Sequence, residues 1–338
     1  MSESIVLFFL GASLCAYTLT GGADFGVGIV ECFARSQDRQ RLRKLSEAAI
    51  TPVWEANHIW IILALVITFV AYPKLQLAMT TTLHLPLLLM LVGIILRGTA
   101  FTFRYYDTED EQGTEKLWSL LFRSGSLLVP FVFGVIAASL QRGTLMSQSA
   151  AGTVWELYYA PWLGWLPLCA GIFVVCLFAW IAASFLLGEV LPEERASWHR
   201  RQSQWSLALV LSGLAVTIGG WYENAPLLDD ARSSPLAIVC VVLATLSLAW
   251  LYRPHRYRRV WSDRMFVGLI VVCILTGYFG TAYPVAVRMS GGEVLRFAEA
   301  QAPKATLDAM SVVLLAASLL ILPGLAWLYK IFKGQASV

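Results

Sequence analysis

Nine long apolar stretches dominate this chain, at about 4–33, 53–72, 79–103, 118–141, 162–188, 205–222, 235–252, 264–285 and 307–332. Each approaches or exceeds the roughly 20 residues that carry an α-helix across a bilayer. The runs are continuously apolar, without the in–out alternation of a membrane β-strand, so helices must satisfy their backbone groups in lipid. Only 14% of the residues are charged and 58% are hydrophobic, against about 25% charged in soluble domains. The expected fold is an all-α polytopic membrane protein, a single membrane domain over 1–338. It divides into a four-helix bundle at 1–141, a second four-helix bundle at 162–285 and a peripheral ninth helix at 307–332.

Lys and Arg divide unevenly between alternate loops. Seventeen lie on the side of 34–52, 104–117, 189–204, 253–264 and the C-terminus, six lie on the other, and Arg97 and Arg123 fall within spans. Basic loops stay cytoplasmic, which predicts an N-terminus outside and a C-terminus in the cytoplasm. No Lys or Arg precedes Arg35, so the first stretch lacks the basic start of a cleaved signal peptide and reads as a retained helix. The formal net charge of +3 gives no reason to expect nucleic acid. The six cysteines, at 15, 32, 169, 176, 240 and 273, sit in or beside apolar runs without a CxxC pair. They read as packing residues, and no metal site is expected. The loops leave no room for an extramembrane catalytic domain. Loop 104–117 is acidic, and loop 253–264 is a basic aromatic belt suited to anionic headgroups.

Ionisable groups inside spans cost roughly 2.5–3.5 kcal/mol at the helix centre on insertion scales, and therefore point to function or to a partner. Asp24, in YTLTGGADFGVG (17–28), lies about ten residues before Arg35, or roughly 15 Å deep. Gly22 and Gly26 form a GxxxG element that lets another helix come close, so Asp24 is expected to face packed protein, with Thr20 one turn away as a hydrogen-bond partner. Glu55, in TPVWEANHIW (51–60), starts the second span with Asn57 and His58 beside it and Trp54 and Trp60 flanking. Glu55 and His58, three apart, share a helix face; alternatively Glu55 serves the helix N-terminus behind Thr51 and Pro52. Asp24, Glu55, Asn57 and His58 form a polar file, the kind of group set a proton relay uses; spacing alone leaves a transporter's coupling site equally open. In LRGTAFTFRYY (96–106), Arg97 either snorkels or pairs with Asp24 or Glu55, while Phe101 offers a ring to packing, a lipid chain or a quinone. His84, His199 and His255 show no partner pattern that would make haem ligation within this chain the better reading.

Three segments, TGGADFGVG (20–28), PVWEANHIW (52–60) and RGTAFTFR (97–104), in this order and spacing, resemble subunit II of cytochrome bd-type quinol oxidases. The resemblance is specific over roughly the first 110 residues and afterwards rests on span number and loop length. It implies a haem-free chain in a bacterial inner membrane, paired with a haem-bearing subunit I, with small single-helix subunits as further candidate partners. The partner would hold haem b and haem d, oxidise quinol on the outer side and reduce oxygen to water with cytoplasmic protons. By resemblance, Asp24 and Glu55 sit on or near the proton path, and Phe101 lies in a region where some members hold a structural quinone; Trp54, Trp60 and Arg97 are further candidates for quinone or lipid contact. Two departures stand out. Glu55 replaces an Asp, and Thr102 follows Phe101 where the family has an acid, so His58 is a candidate to compensate at the entrance. An ion-coupled secondary transporter and a purely structural assembly subunit are the alternatives.

Overall fold

A computed structural model describes residues 1–35, 38–43, 45, 54–106, 114–146, 152–252 and 260–334; the side chains of 54–56, 105–106, 115, 260–261, 325–326 and 328–334 also lie outside the description. Among the described residues, seven helices are long and apolar enough to cross a membrane, or nine if each of two sharply bent pairs counts as one span. The first half comprises α1 (Ser2–Cys32), α2 (Trp54–Ala71), α3 (Pro73–Thr82), α4 (His84–Tyr106) and α5 (Thr114–Arg142). After the short α6 (Val154–Tyr158), the second half comprises α7 (Trp165–Leu186), α8 (Arg195–Tyr222), α9 (Pro226–Ser233), α10 (Pro235–Leu251) and α11 (Val260–Ala282). A hairpin of β1 (Val285–Arg288) and β2 (Val294–Arg296) and a turn of α12 (Phe297–Ala300) lead into α13 (Lys304–Gly334).

The long helices form as their composition dictates, but two expected boundaries move. The third span does not begin near 79: residues 73–82 form α3, bent 111° from the preceding helix, and the span itself starts at His84. Pro73 opens α3, and the hydroxyls of Thr80, Thr81 and Thr82 bond back to the carbonyls of Gln76, Leu77 and Ala78. Such back-bonding competes with a straight helix, and the chain turns at Leu83. Likewise the expected loop 223–234 contains α9, set at 83° to α10, with Ser234 capping α10 at the Ala237 amide.

Within the first half, α1 packs on α2 and α5, and α4 packs on α5; in the second, α7 packs on α8 and α10 on α11. α7 also lies against both α1 and α5, so the two four-helix sets share one core, while α13 lies along α1 and α2. That core centres on α7, where Phe178, Ala179, Trp180, Ile181 and Ala182 are buried. Gly22 and Gly26 make the approach possible: a Cβ on Gly26 would overlap the Phe178 carbonyl and the Ala182 methyl, and one on Gly22 would press on Ile181 and Phe178. The GxxxG face of α1 therefore meets α7 and leaves the face carrying Asp24 to other helices.

Candidate functional site

Asp24 is 1% exposed and forms an ion pair with Arg97 of α4, which is 0% exposed. Two helical turns further along both helices, Arg104 Nη2 donates to the two Glu31 carboxylate oxygens at 3.0 and 2.9 Å. Both pairs have the same sequence separation of 73, so α1 and α4 run parallel and the rungs stand about 10 Å apart. Tyr17, Asp24 and Glu31 recur every seven residues on one buried stripe of α1.

The arginines reach α1 across α5. The Arg97 and Arg104 guanidinium carbons lie 5.2 and 4.8 Å from the Phe122 ring centroid, so one aromatic ring serves both cations. Phe25 and Phe101 flank Arg97 at 4.9 and 5.6 Å. Two glycines make this crossing possible. A Cβ on Gly125 would lie 2.8 Å from Arg97 Cβ and 2.9 Å from the Gly93 carbonyl, and one on Gly28 would overlap the Ser126 side chain. At the basic end, Arg39 donates to the Ala34 carbonyl at 3.2 Å and Arg43 donates to the Arg104 carbonyl at 2.6 Å. The 38–43 segment thus satisfies carbonyls just beyond α1 and at the end of α4, as cations do at helix C-termini.

The site is not fully satisfied. Asp24 Oδ2, Arg97 Nε and Nη1, and the hydroxyl of Ser126, which is 0% exposed, have no hydrogen-bond partner among the described residues. Buried polar atoms without partners are costly and rare, and mark places where water or a mobile proton is accommodated.

The His58 ring stacks on Phe25, the neighbour of Asp24, at 6.1 Å and lies 6.5 Å from the Tyr17 ring. Asn57 is buried at the start of α2, and Trp60 packs half-buried on the α1 core. Glu55 and Trp54 fall in the first turn of α2 with side chains outside the described residues, as are Thr51 and Pro52. Thr20 bonds to the Ala16 carbonyl at 2.8 Å instead of to Asp24. Phe101 is turned inward onto Phe122, ring centroids 6.1 Å apart, and Arg97 is held by Asp24, so both point into the protein interior. Thr102 is exposed and bonds to its own helix.

The second rung went unread in the sequence, where Arg104 was assigned to a loop and Glu31 to an unremarked span end. The available signal was the repeat itself: acids at 24 and 31, arginines at 97 and 104. Elsewhere a cavity of about 320 Å³ lies among α1, α2, α5, α7 and α11, lined almost wholly by apolar groups, with Thr18, Thr68, Gln141 and Tyr278 as its polar members. No His or Cys is among its lining residues, so it does not offer the imidazole pair of a typical b-type haem.

Comparison with known proteins gives a family. Residues 2–332 match the family described as Cytochrome bd terminal oxidase subunit II. Cytochrome bd-I ubiquinol oxidase subunit 2 of Escherichia coli (strain K12) is 26% identical over 278 residues, covering 79% of this chain and 71% of that protein. Cytochrome bd ubiquinol oxidase subunit 2 of Bacillus subtilis (strain 168) is 33% identical over 122 residues, a match spanning 36% of this chain and 35% of that protein's length. In fold, the chain is similar to one in the structure of bd oxidase from Geobacillus thermodenitrificans, with a TM-score of 0.74 at 19% identity over 98% of both chains. With a match that runs through all the membrane helices, the chain is an integral membrane protein and belongs to the cytochrome bd terminal oxidase subunit II family.

Proposed function

We propose that this chain acts as the haem-free second subunit of a quinol:oxygen oxidoreductase and carries a cytoplasm-facing proton route toward a haem-bearing partner. The observation that supports this most directly is the buried Asp24–Arg97 pair with its orphan polar atoms. A purely structural pair gains most when every donor and acceptor is engaged; this one leaves a carboxylate oxygen and two guanidinium nitrogens for a transient occupant.

Haems b and d in the partner supply electron transfer and the binding and reduction of oxygen, which consumes four protons and four electrons for each pair of water molecules. This chain contributes held charge and a proton-conducting file. Glu55 and Asn57 stand at the basic end of α2, His58 lies one turn on against Phe25, and Asp24 is beyond it. Arg97 fixes the orientation of Asp24, and the Glu31–Arg104 rung supports it from the basic end. A structural quinone fits the apolar cavity among α1, α2, α5, α7 and α11 better than the surroundings of Phe101, because Phe101 is already packed on Phe122. The orientation, N-terminus outside and C-terminus in the cytoplasm, follows from the basic loops.

The test uses the complex purified through a tag on this chain and rebuilt into liposomes. Glu55→Gln and His58→Ala are expected to keep wild-type haem content and to slow both oxygen consumption and proton uptake from the α2 N-terminal side. Unchanged turnover in both variants would return Glu55 to a helix-terminal role and remove the route through α2.

A further inference from the structure

A cavity of about 790 Å³ lies between the end of α1 and the first turns of α8, apart from the ion-pair site. We infer that it binds the headgroup of an anionic phospholipid, the phosphate held by Arg35 and Arg200 and the acyl chains running along α8.

Charge is the first argument. Arg35, Arg200 and Arg201 line the cavity against a single carboxylate, Asp38. Arg201 is committed, donating to Asp38 at 2.6 Å with its guanidinium 5.4 Å from the Trp198 ring. Arg35 and Arg200 have no carboxylate partner among the described residues, and the described lining, three arginines against Asp38, carries a net charge of +2. Basic pockets between membrane helices suit anionic lipid headgroups.

The wall below the arginines is the second argument. Phe33 and Trp205 meet edge to face at 5.5 Å, with Val30 and Ala208 beside them. A Trp at this level, one end apolar and one end polar, is typical of the headgroup boundary. Along α8 the stripe that begins with Arg200 and Gln204 continues through Leu207, Leu211, Leu214 and Ile218, all of them exposed. That three-and-four spacing keeps one helix face, charged at the top, polar next and aliphatic for the remaining turns, which is the profile of a phospholipid read from phosphate to tail. A free phosphate would use the arginines and leave the aromatic wall and aliphatic stripe without a purpose.

The experiment titrates the delipidated complex in mixed micelles with phosphatidylglycerol, phosphatidylcholine or inorganic phosphate, and counts the lipids retained after purification by native mass spectrometry. The wild-type complex is expected to retain phosphatidylglycerol in preference to phosphatidylcholine. Arg35→Gln/Arg200→Gln should weaken phosphatidylglycerol binding about twentyfold and leave phosphatidylcholine unchanged. Asp38→Asn, which releases Arg201, should strengthen phosphatidylglycerol binding and provides the decision if the double variant fails to assemble. Equal phosphatidylglycerol binding by the wild type and the variants overturns the inference. So does displacement of the lipid by equimolar inorganic phosphate, which would mark a simple anion site. Protection of both arginines from phenylglyoxal in the delipidated complex would assign the surface to a protein neighbour instead.

Discussion

The two ends of this helix assembly handle charge in opposite ways. At one end Arg142 and Glu223 tie α5 to α8. Arg142 Nε and Nη2 donate to the Glu223 oxygens at 2.8 and 2.9 Å, and Nη1 donates to the Ala160 carbonyl at 2.8 Å. Glu223 also accepts the Trp165 and Leu166 amides at 2.8 and 3.3 Å, satisfying orphan donors at the α7 N-terminus. Gly164 leaves room for the guanidinium. Nearby, Arg288 joins Asp230 and Gln141, and Gln141 holds the β1 carbonyls of Val285 and Ala286. Every guanidinium nitrogen of Arg142 has an acceptor. At the other end, Asp24 and Arg97 lie inside the helices, are more deeply buried, and keep three atoms without partners among the described residues. A saturated pair at helix termini is a fastener. A more deeply buried pair that is left incomplete is the better candidate for chemistry.

That contrast can be broken in stages. Arg97→Gln should do the most damage, because it strands the Asp24 carboxylate in the core at a cost of about 3–5 kcal/mol. The readout is the yield of haem-containing complex in mild detergent, and adding Asp24→Asn to the same chain should restore most of it. Glu223→Ala should cost about 3 kcal/mol by leaving Arg142 and the α7 amides unpaired. Thermal unfolding of the complex should reveal that loss while turnover per haem stays at the wild-type level; a fall in turnover per haem would erase the distinction between the two ends. Gly26→Ala should cost about 1–3 kcal/mol by forcing α1 away from the Phe178 carbonyl, lowering the unfolding temperature without altering the pH profile of turnover. Ser126→Ala should shift stability by less than about 1 kcal/mol, since its hydroxyl has no partner to lose. Its turnover should nevertheless fall if the hydroxyl lines the polar file; unchanged turnover would confine the file to α1, α2 and α4.

The sequence made the membrane helices legible because burial in lipid leaves a composition signal over every 20 or so residues. It also exposed Asp24 and Arg97, since charges stand out in apolar runs. Which acid Arg97 would choose was not legible: the choice depends on α5, whose Gly125 and Phe122 open a lane toward α1. Glu31 and Arg104 were hidden by lying near span ends, where charge is cheap. The GxxxG element was read correctly as a close approach, but its partner, α7, lies about 150 residues away in sequence and had no local signal. Thr20 was assigned to Asp24 by proximity, whereas its own helix offered the nearer acceptor at Ala16. The bends at Pro73 and Ser234 were missed because hydropathy measures the length of an apolar run and carries no direction.

The most direct test of the central claim is oxygen consumption by the complex carrying Asp24→Asn/Arg97→Gln, normalised to haem content. Removing both charges together avoids a stranded ion, so assembly should survive. The account predicts wild-type haem content with turnover reduced at least about tenfold, as for the loss of a positioned proton-transfer group. Wild-type turnover in that variant would contradict it, and would make the Asp24–Arg97 pair a fastener like Arg142–Glu223.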